Sequence, residues 1–195
     1  MRSDGTELSR SERVLAQLQR DVQYLKDRLA ITDRIARHAR GHDRHDTELM
    51  TSSYWEDAVD EHGHAINPGP KYAAWANAAH SAGSLLHTHN VTTHLCDIVG
   101  DVAHCESYVI VGLLDRGGNT ARFISGRYID RIERRHDEWK IALRRSIVDM
   151  MICGDASMLK NPLFTQQGYT KGAWDESDLS YQRPLSLEKA SVQQW

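Results

Sequence analysis

The chain has 195 residues and a mass of 22.2 kDa, and 40% of it is hydrophobic, which supplies one or at most two domains with a sizeable core. Lys+Arg 24 against Asp+Glu 27 leave a formal net charge of -3, with no single-signed field to draw a phosphate backbone or an anionic bilayer. Nucleic acid and membrane surface are set aside as partners. With no apolar run near the roughly 20 residues that span a bilayer and no apolar region to export the amino terminus, the expected location is cytoplasmic.

Met1 to Thr6 reads as a frayed leader ahead of a domain over residues 7–152, with a tail over 153–195. Leu8 to Ala30 contains no Gly or Pro, and Leu15, Leu18, Val22, Leu25 and Leu29 recur at steps of three and four, which predicts a helix with one apolar seam. That seam needs cover, from the chain's own core in preference to a partner helix. A second helix is expected from Thr32 to about Gly41, which is placed to end it. A short third covers Asp46 to Ser53. Tyr54 to Asp60 reads as a short strand, Asn67-Pro68-Gly69-Pro70 as a turn, and alanine-rich Lys71 to Ala82 as another helix.

The period then changes. Leu85 to Val99, Val102 to Leu114, Thr120 to Arg135 and Glu138 to Met151 are rich in Val, Ile, Thr and Tyr and read as four long strands. Gly100-Asp101, Gly117-Gly118-Asn119 and His136-Asp137 separate them at hairpin spacing, so the sheet is expected to be antiparallel and built from sequential neighbours. Helices followed by a strongly curved sheet make an α+β domain whose helices cover one face of the sheet, which encloses a tapering cavity. The later aromatics, Trp174 and Tyr181 among them, suggest a tail that wraps the body or an oligomer partner. Cys96, Cys105 and Cys153 form no CxxC pair and read as buried free thiols.

Candidate chemistry starts with histidine, of which there are 11. In a regular strand His87 and His89 share a face with Val91, Thr93 and Leu95, so either imidazole could be a base in the cavity, or both could be satisfied structural groups. A His-x-His pair with Glu106 could also form a facial set for non-haem iron. Asp43, in Gly41-His42-Asp43-Arg44-His45-Asp46 at a helix end, could accept an imidazole N–H and fix its tautomer. It could equally belong to a solvated charged loop.

Several segments in fixed order resemble the SnoaL-like branch of the nuclear-transport-factor-2-like superfamily, near the hexachlorocyclohexane dehydrochlorinase, scytalone dehydratase and bile-acid dehydratase group. They are Ile35-Ala36-Arg37-His38-Ala39-Arg40-Gly41-His42-Asp43, Tyr54-Trp55-Glu56-Asp57-Ala58-Val59, His89-Asn90-Val91-Thr92-Thr93-His94, Gly100-Asp101-Val102-Ala103, Gly126-Arg127-Tyr128 and Glu133-Arg134-Arg135 through Trp139-Lys140-Ile141-Ala142. The resemblance implies a cone-shaped α+β barrel around a deep, mostly apolar pocket, in which Asp43 and His89 form the catalytic pair, with His87 a neighbour, and Arg144 lines the pocket. His38 stands where relatives carry a leaving-group lysine or tyrosine, and Tyr54 and Trp55 join it and His87 as candidate substrate contacts.

The implied activity is cofactor-independent elimination of water, halide or a small aldehyde from a hydrophobic cyclic or aromatic molecule. His89 acts as base, Asp43 holds its ring, and Arg144 with His38 or Tyr54 assists the departing group. No metal is expected. An isomerase or polyketide-type cyclase would use the same pair, and a non-catalytic binding module would use the same pocket. Open sheet faces and the Leu15 to Leu29 seam predict a dimer or trimer.

Overall fold

A computed structural model describes residues 9–187 and 193–195; the expected leader, residues 1–6, lies outside them. The order is α1 (Arg10–Asp43), α2 (Thr47–Thr51), β1 (Tyr54–His62), β2 (Ala65–Pro68), α3 (Gly69–Gly83), β3 (Ser84–Val99), β4 (Val102–Asp115), β5 (Thr120–Arg135), β6 (Glu138–Asp155) and a short α4 (Pro162–Thr165).

The two helices expected before residue 43 are one helix of 34 residues. Nothing in the sequence before Gly41 breaks it, and Ser9 with Glu12 closes a capping box at its start. Gly41 does not end the helix. A Cβ there would lie 2.9 Å from both Cγ and the backbone N of Met50, so glycine serves the close approach of α1 and α2. The seam residues Leu15, Leu18, Val22, Leu25 and Leu29 are more than half exposed. The expected burial in the chain's own core is thus overturned, because α1 reaches the sheet only over its carboxyl-terminal half, where Ile31, Ile35 and His38 are buried.

Among the described residues six strands form one sheet in the order β2-β1-β6-β5-β4-β3. The four long strands pair antiparallel with sequential neighbours, as their spacing predicts. β1 adds on differently: it lies parallel to β6, with Asp60 beside Arg144 and His62 beside Ser146. Asn67 and Pro68, expected in a turn, end the short strand β2 that pairs with β1. The sheet curls without closing, and α1 and α3 cover its inner face. Ile31, Ile35, Met50, Tyr54, Tyr72 and Ile132 form the core.

A register shift on β3 between Val91 and His94 interrupts the pleat. It turns Leu95 outward, at 61% exposed, and buries Cys96. The shared face expected from His87 to Leu95 therefore holds only as far as Val91. Cys96 and Cys105 are buried thiols as expected, whereas Cys153 is exposed. No helix among the described residues is long and apolar enough to cross a membrane.

Candidate active site

Asp43 is the last residue of α1, where the helix dipole disfavours a carboxylate. Two donors from β3 hold it there: the His89 backbone N–H donates to Oδ2 at 2.9 Å and the His89 ring Nδ1 to Oδ1 at 2.7 Å. Because a carboxylate only accepts, Nδ1 carries the proton and Nε2 keeps its lone pair. His89 lines a cavity of about 160 Å³ between α3 and the inner sheet face, close to the size of an engineered cavity that takes up benzene. Trp75, Val109, Val111, Leu113, Ile124 and Ile147 supply most of its apolar wall.

A second Asp–His pair faces the same cavity and was not foreseen. Asp60 is fully buried and accepts from His62 Nδ1 at 2.6 Å and from the Tyr54 hydroxyl at 2.6 Å. The His62 ring and Ser146, its partner across the β1–β6 pairing, both line the cavity, with Ser146 Oγ 2.9 Å from His62 Nε2. Tyr72, also in the lining, bridges His62 Nε2 at 3.2 Å and His42 Nε2 at 2.8 Å. Asp60 and His62 sit two apart on one strand and so share a face. That signal was available, but ending the strand at Asp60 concealed it. Tyr72 and His80 are similarly two helical turns apart on α3.

Arg144, His38 and Tyr54 do not line the cavity, which corrects the roles expected for them. Arg144 is fully buried behind Tyr128, its guanidinium 4.1 Å from that ring. It donates to both oxygens of Asp130 at 2.8 and 2.7 Å and to His38 Nδ1 at 3.0 Å. A guanidinium cannot accept, so His38 holds its proton on Nε2 and gives it to the Tyr54 hydroxyl 3.0 Å away, which in turn donates to Asp60. The four residues form a continuous buried support beneath His62. Burial opposes the charge of Arg144, and Asp130 more than offsets it, holding the guanidinium above its ordinary value. Burial, and then Asp60, raise Tyr54 well above the usual phenol range.

Trp55 is also corrected. Its ring lies on the other side of β1, donating to the Glu133 carbonyl at 3.0 Å and flanked by Arg135 and Lys140. His87 is buried beside the cavity without lining it, and its Nε2 donates to the His42 carbonyl at 2.8 Å. Glu106 stands opposite Leu95, further down the sheet, and is paired with Arg127 at 2.9 Å; it does not join His87 and His89 in an iron site. From the tail, Trp174 stacks 4.2 Å from His45 and lies 5.5 Å from His87, while Asp178 pairs with Arg44 at 3.2 Å.

Burial keeps several of these imidazoles neutral. It lowers His38 and His42 well below 6.5, helped by Arg144 at His38 and by neighbouring imidazoles at His42. It lowers His87 to about 4 and His80 to about 3. Between these values and 6.5 the unfolded chain binds more protons than the folded one, so stability is full above 6.5 and falls as pH drops. Between about pH 7.5 and about pH 5.5 this should lower stability by on the order of a few kcal/mol. Urea midpoints measured at both pH values check this; equal midpoints would contradict it.

The chain shares its architecture with known proteins. A family model described as a SnoaL-like domain matches residues 23–145. A hexachlorocyclohexane dehydrochlorinase of type 3 from Novosphingobium barchaimii is similar, with a TM-score of 0.64 and 23% identity over 69% of this chain and 94% of its own. So is a putative scytalone dehydratase from Novosphingobium aromaticivorans, at 0.60 and 17% over 66% and 88%. A protein of unknown function from Mycobacterium tuberculosis reaches 28% identity and a TM-score of 0.58 over 66% and 75%. No curated protein matches the sequence. Since the family match spans well over half of the residues and these structures repeat the helix-backed, curled sheet, the chain belongs to the SnoaL-like domain family.

Proposed function

We propose that this chain is a lyase that removes a proton from a hydrophobic cyclic or aromatic molecule and expels water, a halide or a small aldehyde. The observation that carries the reading is the Asp43–His89 pair, with His89 Nδ1 2.7 Å from the carboxylate and its ring in the wall of an apolar cavity. His89 Nε2 takes the proton from carbon or hydroxyl, and Asp43 stabilises the imidazolium that forms. His62, set by Asp60, together with the hydroxyls of Tyr72 and Ser146, then takes the part first given to Arg144: a proton or hydrogen bond for the departing group. The cavity volume of about 160 Å³ favours single-ring substrates. The dehydrochlorinase and dehydratase names of two structural relatives agree with elimination.

An isomerase is the second reading, and one observation favours it: two carboxylate-set imidazoles face one cavity, so His89 could take a proton at one carbon while a solvent-derived proton is delivered at another from an imidazolium His62 that Asp60 stabilises. Incubation in D2O with a chlorinated cyclohexane and a β-hydroxy cyclic ketone separates the two. Elimination yields an unsaturated product and free halide or water; isomerisation leaves the formula unchanged and adds solvent deuterium. His89→Ala should abolish either outcome while the chain still binds the ring compound. Full turnover by His89→Ala would overturn the reading. Binding without turnover in the wild-type chain would instead favour a binding module.

A further inference from the structure

Behind His89 the carboxyl-terminal ends of α1 and α3 meet the start of β3, and each contributes an imidazole: His42, His80 and His87. One nitrogen of each lies within 4.8 Å of the other two, and the His80 ring is 4.1 Å from His87 and 4.8 Å from His42. The catalytic reading uses none of these three. His42 and His87 are 2% and 3% exposed, yet Nδ1 of each has no hydrogen-bond partner. An orphaned buried polar atom is costly and calls for an explanation.

The other nitrogen of each buried ring is committed. His87 Nε2 donates to the His42 carbonyl, which leaves Nδ1 as the lone-pair nitrogen. His42 Nε2 lies 2.8 Å from the Tyr72 hydroxyl; with its proton there, the unpartnered Nδ1 is a lone pair too, rather than a stranded N–H. A ring that gives one N–H to a carbonyl or hydroxyl and offers its second nitrogen bare is what a metal-ligating histidine looks like. The surroundings favour a cation as well. His42 and His80 lie in the last turns of their helices, where the dipoles are negative.

We propose that His42, His80 and His87 bind a divalent transition-metal ion of the zinc class. Imidazole nitrogens suit zinc, cobalt or nickel, and three such ligands leave a fourth position open. His42 and His80 line the cavity, so that position faces the substrate space next to His89. Ligation at about 2.0–2.1 Å needs the three nitrogens roughly 3.3 Å apart; they lie within 4.8 Å of one another, so metal binding draws all three rings together. The neighbouring set Asp43, His87 and His89 is a poorer one, because both Asp43 oxygens and His89 Nδ1 are already committed to each other.

The test needs no substrate, so it stands or falls apart from the lyase reading. The full chain is stripped with a chelator, desalted and titrated with Co2+ by visible absorption and with Zn2+ by calorimetry. One equivalent should bind, with a d–d band of low-coordinate cobalt. His80→Ala and His87→Ala should each weaken binding at least about 100-fold, the upper end of what loss of an outer-shell partner costs. His89→Ala and Cys96→Ala should bind normally. His80→Gln, at a partly exposed position, serves if the alanine variants fail to fold by circular dichroism. No uptake by the wild-type chain would overturn the proposal. So would uptake that survives loss of His80 but disappears with His89, or with Cys96, which lies in a separate cluster with His94 and Cys105.

Discussion

Asp43→Asn should lower turnover by roughly 10²- to 10⁴-fold while leaving the fold intact. The carboxylate accepts two hydrogen bonds from His89, one from the backbone N–H and one from ring Nδ1. The backbone group can only donate, so an asparagine must turn its oxygen to it and its amide NH2 to the ring. Nδ1 then has to accept, and the imidazole proton moves to Nε2, the nitrogen that faces the substrate. A base with its lone pair turned away cannot take a proton, and the lost negative charge no longer steadies an imidazolium. Shape and burial hardly change, so the unfolding midpoint should stay near that of the wild type. The measurement is kcat beside thermal unfolding, with Asp43→Glu as the conservative comparison. A variant with wild-type kcat would mean that Asp43 only anchors β3 to the end of α1.

That pair was the part of the site legible in the sequence, and it was legible through the resemblance rather than through spacing. Asp43 and His89 lie 46 positions apart, and their meeting depends on where α1 ends against β3, which no local period encodes. The four long strands could be read because each hairpin is local and each turn carries its own residues. What could not be read is the parallel pairing of β1 with β6, a contact across most of the domain between strands that are not neighbours in sequence. Everything built on that pairing was therefore missed or misassigned. It places His62 beside Ser146 and Asp60 beside Arg144, so the second Asp–His pair went unseen. Arg144 was expected in the pocket when it is buried in the support beneath it. Trp55 fails for a related reason. Tyr54 and Trp55 are adjacent on a strand; Tyr54 turns inward to Asp60 in the buried support, and the Trp55 ring instead reaches the Glu133 carbonyl beside Arg135 and Lys140, so neither lines the cavity that holds His89. The seam on α1 shows the other limit: periodicity says that a face is apolar, not that the chain itself supplies its cover.

Asp130→Ala should cost about 3–5 kcal/mol of stability, a large share of the roughly 5–15 kcal/mol that holds a domain together. Arg144 and Asp130 are both fully enclosed, with a side-chain exposure of 0% each, and the guanidinium spends two of its donors on the carboxylate. Removing the acid leaves a buried cation with only His38 and the face of Tyr128 for company. The damage comes from stranding the charge more than from losing the attraction, and the double variant Asp130→Leu with Arg144→Met separates these two contributions. With both charges gone no desolvated ion remains, so much of the lost stability should return. Function should not return with it. Arg144 Nη1 is the donor that forces the His38 proton onto Nε2 and so directs the Tyr54 hydroxyl at Asp60; without it His38 is free to reverse, and Asp60 loses the donor that orients it toward His62. Urea unfolding of the two variants and the wild type, read beside turnover, resolves both effects. A double variant as unstable as Asp130→Ala would show that the pair contributes net stability, and one with full turnover would show that the buried support does not reach His62.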